Sequence, residues 1–293
     1  MSASLHLILA FVLAPLLPGI IGKVKSCCAG RSGKPVLQLY FDLAKLLRKG
    51  AVYSRGTSWV FKAGPPAALA ATIAALCLLS PLDQNGPLSF EGDFLLAAYL
   101  LGMARFAVIL AALDTGSSFE GMGASREAVF SALAEPVFLL ALMPLGRISG
   151  SFSLASMFSV HIWSAQSLDK PALILSAAGL FLISLAENCR IPVDDPNTHL
   201  ELTMIHEVMV LDHCGVDLAF IEYAAALKLW FFSAVVASLL LPSMAVTPGG
   251  IILVAVGIGF TESIMARLRL ISVPRLICLA GALAALGCLL CLR

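Results

Sequence analysis

Long apolar runs separated by short polar segments extend along almost the whole chain. A helix needs roughly 20 mostly apolar residues to cross a bilayer core of about 30 Å, so each run is long enough for one transmembrane helix. The predicted spans are residues 5–22, 64–81, 94–113, 129–146, 171–187, 217–241, 249–266 and 273–291. The pattern therefore predicts an all-α integral membrane protein of about eight transmembrane helices, with residues 1–293 forming a single domain.

Composition supports this interpretation and excludes several classes of protein. Hydrophobic residues make up 59% of the chain and charged residues only 13%, whereas a soluble domain carries about 25% charged residues. The formal net charge of +1 gives no support to nucleic-acid binding. The first apolar run precedes its basic residues, unlike a secretory signal, so we expect it to be retained as a span.

The basic residues are distributed unevenly between the two sets of loops. Residues 23–62 contain nine of them, and the segments 114–128, 188–216 and 267–275 raise the number on that side to fourteen. The other side carries three, which are Arg147, Lys170 and Arg293. Because cytoplasmic loops are enriched in Lys and Arg, we expect a cytoplasmic-membrane protein with long cytoplasmic loops and both termini outside.

Two segments are expected to lie at the membrane surface. Residues 36–49 predict an amphipathic helix at the cytoplasmic face, because their apolar side chains share one helical face: Val36, Leu39, Tyr40, Leu43 and Leu47. The loop 147–170 contains Trp163, and Trp is enriched at membrane interfaces.

Ionisable residues fall inside several predicted spans, where each costs roughly 2.5–3.5 kcal/mol on insertion scales. The acids are Glu135, Glu187, Glu222 and Glu262, and the cations are Arg105 and Lys228. Carboxylates in a hydrated interior can take up and release protons near neutral pH. The acids are therefore candidates for a proton path, while Arg105 and Lys228 fit equally well as paired structural charges.

The loop after the fifth span is the densest polar segment of the chain. Pro192 and Pro196 stop the helix and leave Asp194 and Asp195 on an irregular turn. Thr198 and Glu201 have the spacing of a capping box that starts a second helix, on which Glu207 follows. Glu187 and Arg190 are spaced to form an ion pair if the turn between them is helical. Such a loop suits proton access or the docking of a partner.

Neither the cysteines nor the histidines predict a cofactor site in this chain. Cys288 and Cys291 form a CxxC pair inside an apolar helix, whereas an iron–sulfur cluster takes about four thiolates. His206 and Glu207 begin a zinc-protease motif, but Val210 stands where the second histidine is needed. We therefore expect no metal and no redox centre bound by the chain itself.

Four stretches resemble the membrane subunit of energy-converting nickel–iron hydrogenases and formate hydrogenlyase, which is homologous to the H subunit of respiratory complex I. They are residues 30–50 (GRSGKPVLQLYFDLAKLLRKG), 113–128 (LDTGSSFEGMGASREA), 187–212 (ENCRIPVDDPNTHLELTMIHEVMVLD) and 262–270 (ESIMARLRL). The resemblance implies that the chain docks a peripheral arm carrying iron–sulfur clusters and a nickel–iron site. It also implies antiporter-like membrane subunits as neighbours.

The resemblance also implies roles for particular residues. The acidic loop of the proton path corresponds to Glu187, Arg190, Asp194, Glu201 and Glu207. The second cytoplasmic loop corresponds to Asp114, Glu120, Arg126 and Glu127, which we expect to serve docking together with Asp195. The complex I pattern after Ile-Pro is Phe-Asp-x-x-Glu, whereas this chain has Val193-Asp194-Asp195-Pro196-Asn197, a departure that favours the hydrogenase branch.

These observations predict a non-catalytic membrane subunit of a hydrogenase or formate hydrogenlyase-type respiratory complex. It would couple electron transfer in the peripheral arm to the movement of protons or sodium ions. The alternatives are a quinone-site subunit of an NADH:quinone oxidoreductase, a stand-alone secondary ion transporter and a passive anchor. An inverted-repeat transporter would be expected to show an internal sequence repeat, and none is evident here.

Overall fold

The computed structural model describes residues 3–79, 88–195, 204–241 and 248–292. Within these ranges the regular structure is helical, and it comprises α1 (Ala3–Leu13), α2 (Leu16–Cys28), α3 (Gln38–Leu47), α4 (Trp59–Leu78), α5 (Asp93–Asp114), α6 (Ser118–Ser149), α7 (Leu154–Met157), α8 (Lys170–Glu187), α9 (His206–Met209), α10 (Gly215–Leu240), α11 (Pro248–Ile264) and α12 (Val273–Cys291).

The predicted all-α membrane architecture is confirmed. Among the described residues six helices are long and apolar enough to cross a membrane, and the number is seven if α1 and α2, which meet at a bend of 51°, are counted as one span. The predicted span 249–266 corresponds to α11, an apolar helix of 17 residues. The largest difference in bounds is at the predicted span 129–146, which is the second half of the longer α6.

The bend between α1 and α2 follows from Pro15. Proline has no backbone N–H, so the carbonyl of Phe11 has lost its helical donor. The hydroxyl of Tyr223 donates to that carbonyl at 2.9 Å, and the hydroxyl of Tyr40 donates to the next one, Val12. In a bilayer a freed carbonyl has to be paired within the protein, and these two side chains pair both.

The core of the bundle is centred on α10, which packs against α2, α3, α4, α8 and α11. Trp230 and Phe231 of this helix are completely buried. Large apolar side chains cover the outer surface instead, for example Ile8, Tyr99, Phe106, Ile174, Leu253 and Leu286. An exposed apolar surface of this extent is typical of helices that face lipid.

Close helix contacts depend on small residues, as is usual in membranes. Gly64 of α4 lies so near α5 that a Cβ atom there would be 2.9 Å from the carbonyl oxygen of Ala107. The two prolines that follow, Pro65 and Pro66, are accommodated inside α4. Together α4 and α5 form a tight pair that holds one wall of the bundle.

The two predicted surface segments are present, with one correction. α3 is the predicted amphipathic helix, and Leu39 packs against the core. Leu47, however, is 55% exposed, because it is the last residue of a helix shorter than predicted. Trp163 is 70% exposed, and its indole N–H donates to the carbonyl of Leu240 at 2.8 Å.

Candidate functional site: a polar cavity at one end of the bundle

A cavity of about 720 Å³ opens where α2 and α3 meet the loop after α8 and extends inward between α5 and α10. Its lining combines apolar wall residues such as Ala104 and Ile221 with an unusual number of ionisable side chains. The ionisable side chains on the lining are Lys25, Arg31, Lys34, Asp42, Arg105, Glu127, Glu187, Cys189, Arg190, Asp194, Asp195, His206, Glu207, Glu222, Lys228 and Glu262.

Glu187 occupies the inner end of the cavity, between two cations from different helices. Its Oε1 is ion-paired with the guanidinium of Arg105 on α5, and its Oε2 lies 3.2 Å from the ammonium of Lys228 on α10. The Glu187 side chain is only 3% exposed. Two cations beside one carboxylate offset the cost of placing charge in a low-dielectric interior.

Two further acids of α6 lie close to this group. Glu127 lines the cavity, and the thiol of Cys189 lies 3.9 Å from its Oε2. Glu135 is beside Arg105, since a Cβ atom on Gly102 would be within 4 Å of both side chains. The inner end therefore gathers three acids around two cations, and Glu135 stands just behind the cavity wall.

The turn after α8 directs Arg190 away from Glu187. Cys189 has a positive φ of 49°, and the N–H of Arg190 donates to the carbonyl of Leu185 at 2.9 Å. These are the features of a Schellman motif, which ends a helix and reverses the chain. The predicted Glu187–Arg190 pair is wrong for this reason, because α8 ends at Glu187 and Arg190 pairs with Glu262 instead.

Ion pairs between α2, α11 and the loop surround the outer part of the cavity. Glu262 lies 3.7 Å from Lys25 of α2 and 3.7 Å from Arg190. Lys25 is also 3.7 Å from Asp195. Each of these distances is long for a direct hydrogen bond, so charge attraction rather than hydrogen bonding relates these groups.

Asp194 fixes the loop around the cavity. Its carboxylate accepts from Arg267 at 2.9 Å and from the backbone N–H groups of Ile205 at 3.0 Å and His206 at 3.3 Å. On the other side of this segment Gly123 of α6 leaves no room for a side chain, since a Cβ there would be 2.9 Å from the carbonyl oxygen of Ile205. The short α9 is thereby held against both α6 and Asp194.

The two ionisable residues at the start of α9 have shifted pKa values. Burial, with repulsion from Glu222 and Asp194, raises the pKa of Glu207 to about 7. Burial, with repulsion from Lys228, lowers the pKa of His206 to about 4. Glu207, an acid on the cavity lining, therefore changes its protonation near neutral pH.

The predicted docking residues Asp114, Glu120 and Arg126 make contacts within the chain. Asp114 accepts from the N–H and hydroxyl of Ser58 at 2.6 and 2.8 Å and from the N–H of Phe61 at 3.2 Å. Glu120 is buried and accepts from the N–H of Asp212 at 2.9 Å. Arg126 donates to the carbonyl of Met204 at 2.8 Å. These contacts tie the loops together, and the docking role stays a prediction.

Most predicted site residues meet at this cavity. Four predicted residues are not on the lining, namely Asp114, Glu120, Arg126 and Glu135. Glu201 and the capping box that begins at Thr198 lie outside the described residues. The predicted residues that share the lining are Arg105, Glu127, Glu187, Arg190, Asp194, Asp195, Glu207, Glu222, Lys228 and Glu262.

Sequence reasoning missed several members of the network. Lys25 and Arg267 were predicted only to be basic residues of the loops. Asp42 was predicted only to be part of the amphipathic helix. A basic residue placed where a span ends and the chain continues into a loop can reach back to an intramembrane acid. That signal would have singled out Lys25, one turn beyond the predicted end of the first span.

No three His, Cys, Asp or Glu side chains in the described part of the chain form a candidate metal site. All eight cysteines are free thiols. Burial raises the pKa of the Cys189 thiol well above its usual range, and Glu127 and Asp194 add to the shift. This thiol therefore stays protonated and acts as a weak hydrogen-bond donor to Glu127.

Residues 2–291 match the family described as NADH dehydrogenase. The chain is 30% identical over 282 residues to formate hydrogenlyase subunit 4 of Escherichia coli (strain K12), covering 91% of this chain and 90% of that protein. It is 27% identical over 294 residues to hydrogenase-4 component C of the same organism, covering 96% and 92%.

A solved structure has the same fold. The similar chain belongs to the membrane-bound sulfane sulfur reductase, an archaeal respiratory membrane complex, and the superposition gives a TM-score of 0.84. It covers 99% of this chain and 98% of that chain at 22% sequence identity. The two chains therefore share this helical fold over almost their whole length.

Proposed function

Since this chain belongs to the NADH dehydrogenase family, we propose that it is the membrane subunit of a hydrogenase or formate hydrogenlyase-type complex that couples redox chemistry to proton or sodium translocation. It would lie in the cytoplasmic membrane with both termini outside. Two relatives, named formate hydrogenlyase subunit 4 and hydrogenase-4 component C, support the assignment to the hydrogenase branch of the family. The chain itself would bind no iron–sulfur cluster or nickel–iron site.

The observation that carries the proposal is the position of Glu187. An acid paired with two cations at the inner end of an open polar cavity is in contact with the cavity and with the centre of the bundle. Moving a proton to it changes the charge balance of Arg105 and Lys228 together. Buried charges interact strongly because solvent screening is weak there, so this group can respond to charge changes near the cavity opening.

In the proposed coupling, Glu207 is the acid that takes up the proton. Burial raises its pKa to about 7, and Glu222 and Glu262 share the cavity lining with it. Reduction of a nearby cluster in a docked arm would add negative charge at the opening and favour protonation there. Release toward antiporter-like subunits requires about 2.3 kcal/mol per proton for each 100 mV.

Docking of the peripheral arm is assigned to the loops at the open end of the cavity. The loop after α8, the α5–α6 turn and the segment before α4 lie together there through the contacts of Asp114, Glu120 and Asp194. An arm bound to these loops would place its nearest cluster close to the acids of the opening. The apolar sides of the bundle remain for antiporter-like subunits and lipid.

Replacing Glu187 by Gln tests the coupling role directly. Gln keeps the size of the side chain and one oxygen acceptor for Arg105 but removes the charge that changes on proton transfer. We expect the complex to assemble and to transfer electrons, with proton uptake by vesicles reduced to near background. The readout is a pH-sensitive dye in sealed vesicles, with electron-transfer activity measured on the same sample.

Asp93→Asn is the matched control for that experiment. Asp93 is also fully buried, but it accepts hydrogen bonds from Ser153 and Leu154 at the other end of the bundle. The Asp93→Asn variant should therefore leave proton uptake unchanged. Normal uptake by the Glu187→Gln vesicles would refute the coupling role and leave a passive anchor.

The size of the cavity favours the quinone-site subunit as a second candidate. A volume of about 720 Å³ is within the usual range of small-molecule sites, which is about 300–1,000 Å³. Adding a water-soluble quinone to the purified complex separates the two functions. The hydrogenase-type function predicts no quinone-dependent electron transfer, whereas a quinone-site subunit predicts reduction that bulky substitutions at Ala104 abolish.

A further inference from the structure

Three polar side chains on α1 and α10 are buried in the bundle without a hydrogen-bond partner among the described residues. They are His6, Trp230 and Ser233, with both ring nitrogens of the histidine, the indole nitrogen and the hydroxyl unpaired. None of the three side chains is more than 1% exposed. An unpaired polar group is unfavourable in a nonpolar interior, so these three groups point to a polar ligand between the helices.

The three groups belong to one seam between the two helices. The His6 and Trp230 rings lie 6.1 Å apart, centroid to centroid, and Ser233 is one turn further along α10. Tyr223, two turns before Trp230, donates to the carbonyl of Phe11 at 2.9 Å. Because Phe11 follows His6 on α1 while Tyr223 precedes Trp230 on α10, the helices run antiparallel and these contacts lie along one line.

The seam reaches the cavity at its lower end. Glu222, the neighbour of Tyr223, and Leu39, the neighbour of Tyr40, both line the cavity. Tyr223 and Tyr40 donate to the two carbonyls released by the bend at Pro15. The seam therefore has polar contacts at the bend beside the cavity and polar side chains again at His6 and Trp230, near the start of α1.

The unpaired groups are complementary to water. The indole N–H is a donor only, the neutral imidazole supplies one donor and one acceptor, and the hydroxyl does both. A buried water makes about three hydrogen bonds. The three side chains together offer about five donor and acceptor sites, which is enough for more than one water. Lipid and small apolar molecules cannot satisfy any of them.

We propose that the α1–α10 seam binds a short row of buried water molecules between His6, Trp230 and Ser233. This row extends the polar interior from the cavity toward the far face of the membrane. The water site stands on the contacts of the seam alone, and its use as a proton route rests on the proposed function.

Radiolytic hydroxyl-radical labelling of the intact purified complex in nanodiscs tests the water site. Radicals formed from bound water oxidise the side chains beside it, so His6 and Trp230 should be labelled although they are buried. Phe231 and Phe232 are equally buried on the same helix and should stay unlabelled. Trp163, which is 70% exposed, is the positive control. Absence of label on both His6 and Trp230 would overturn the proposal.

Two variants sharpen the result. His6→Leu and Ser233→Ala each remove part of the site, and each should lower the labelling of Trp230 several-fold while leaving Trp163 unchanged. Labelling of Trp230 that is the same in both variants as in the wild type would show that the water is not held by this seam.

The transport role has its own readout, which keeps the two proposals apart. If the seam conducts protons, His6→Leu lowers proton uptake per electron in vesicles several-fold, and Glu187→Gln does so as well. Labelled Trp230 with normal uptake in the Glu187→Gln vesicles would preserve the water site and refute the coupling function. Unlabelled Trp230 together with impaired proton uptake in the Glu187→Gln vesicles would refute the water site and preserve the coupling function.

Discussion

At the scale of single residues, the buried charges are compensated by partners from other helices. Glu187 faces Arg105 and Lys228, and Glu262 faces Lys25 and Arg190. Each acid thus shares two cations, so one pairing can weaken while the other keeps the charge compensated. A cation beside a carboxylate favours its ionised form, so weakening one of the two pairings makes protonation of the acid easier.

Asp114 gives a test of structural importance at this scale. It accepts from three donors at the start of α4, so Asp114→Ala should lower the free energy of unfolding. Asp114→Asn keeps an acceptor oxygen and should recover most of that loss. Denaturant unfolding of the purified chain in detergent, followed by helix content, measures both.

A purely docking role for Asp114 makes the opposite prediction. Asp114→Ala would then unfold like the wild type and lose only the peripheral arm. Co-purification of the arm with each variant distinguishes this outcome. Under a purely docking role, Asp114→Asn and Asp114→Ala would both lose the arm to the same extent.

At the scale of elements, α9 combines two groups whose protonation affects stability in opposite directions. Burial raises the pKa of Glu207 from its ordinary 4.5 to about 7, so the folded state binds the extra proton and stability falls as pH rises through that range. Burial lowers the pKa of His206 from 6.5 to about 4, so stability rises with pH over the interval between those values.

Glu207→Gln should remove only the first of these two effects. Relative to the wild type, the variant should become more stable as pH rises from 4.5 to about 7, by about 2 kcal/mol after allowance for solvent at this half-buried side chain. Thermal unfolding of both proteins in detergent at a series of pH values measures the difference. A difference that is constant with pH would show that Glu207 titrates at its ordinary pKa.

The elements show what a sequence can and cannot predict here. Apolar length fixes the spans, and the amphipathic period fixes α3, because both depend on residues close in the chain. The pairing of Arg105 with Glu187 joins positions 82 apart, and no local pattern encodes it. The break at Pro15 was not predicted, since residues 5–22 were expected to form one continuous span. The bend also depends on Tyr40 and Tyr223, which approach only after folding.

At the scale of the whole molecule, polar chemistry is concentrated at one end of the bundle. The cavity, the ion pairs of Lys25, Asp194 and Glu262, and the loops that follow α2, α5 and α8 all lie there. The opposite end carries the loop 150–169, where Trp163 contacts the end of α10. Since Lys and Arg are concentrated in the first set of loops, the cavity should open to the cytoplasm.

Cysteine labelling in intact cells tests that orientation. Ser167 and Ser54 are both exposed but lie in loops at opposite ends of the bundle. In a chain whose native cysteines are replaced by Ser or Ala, Ser167→Cys should react with a membrane-impermeant maleimide from outside, and Ser54→Cys should react only after the cells are opened. The distribution of basic residues is the physical reason, since translocating nine of them between residues 23 and 62 opposes the membrane potential. The reversed labelling pattern would place the cavity opening outside, where no cytoplasmic redox arm could dock. This experiment therefore decides whether the acids of the cavity face the electron-transfer chemistry that is proposed to drive them.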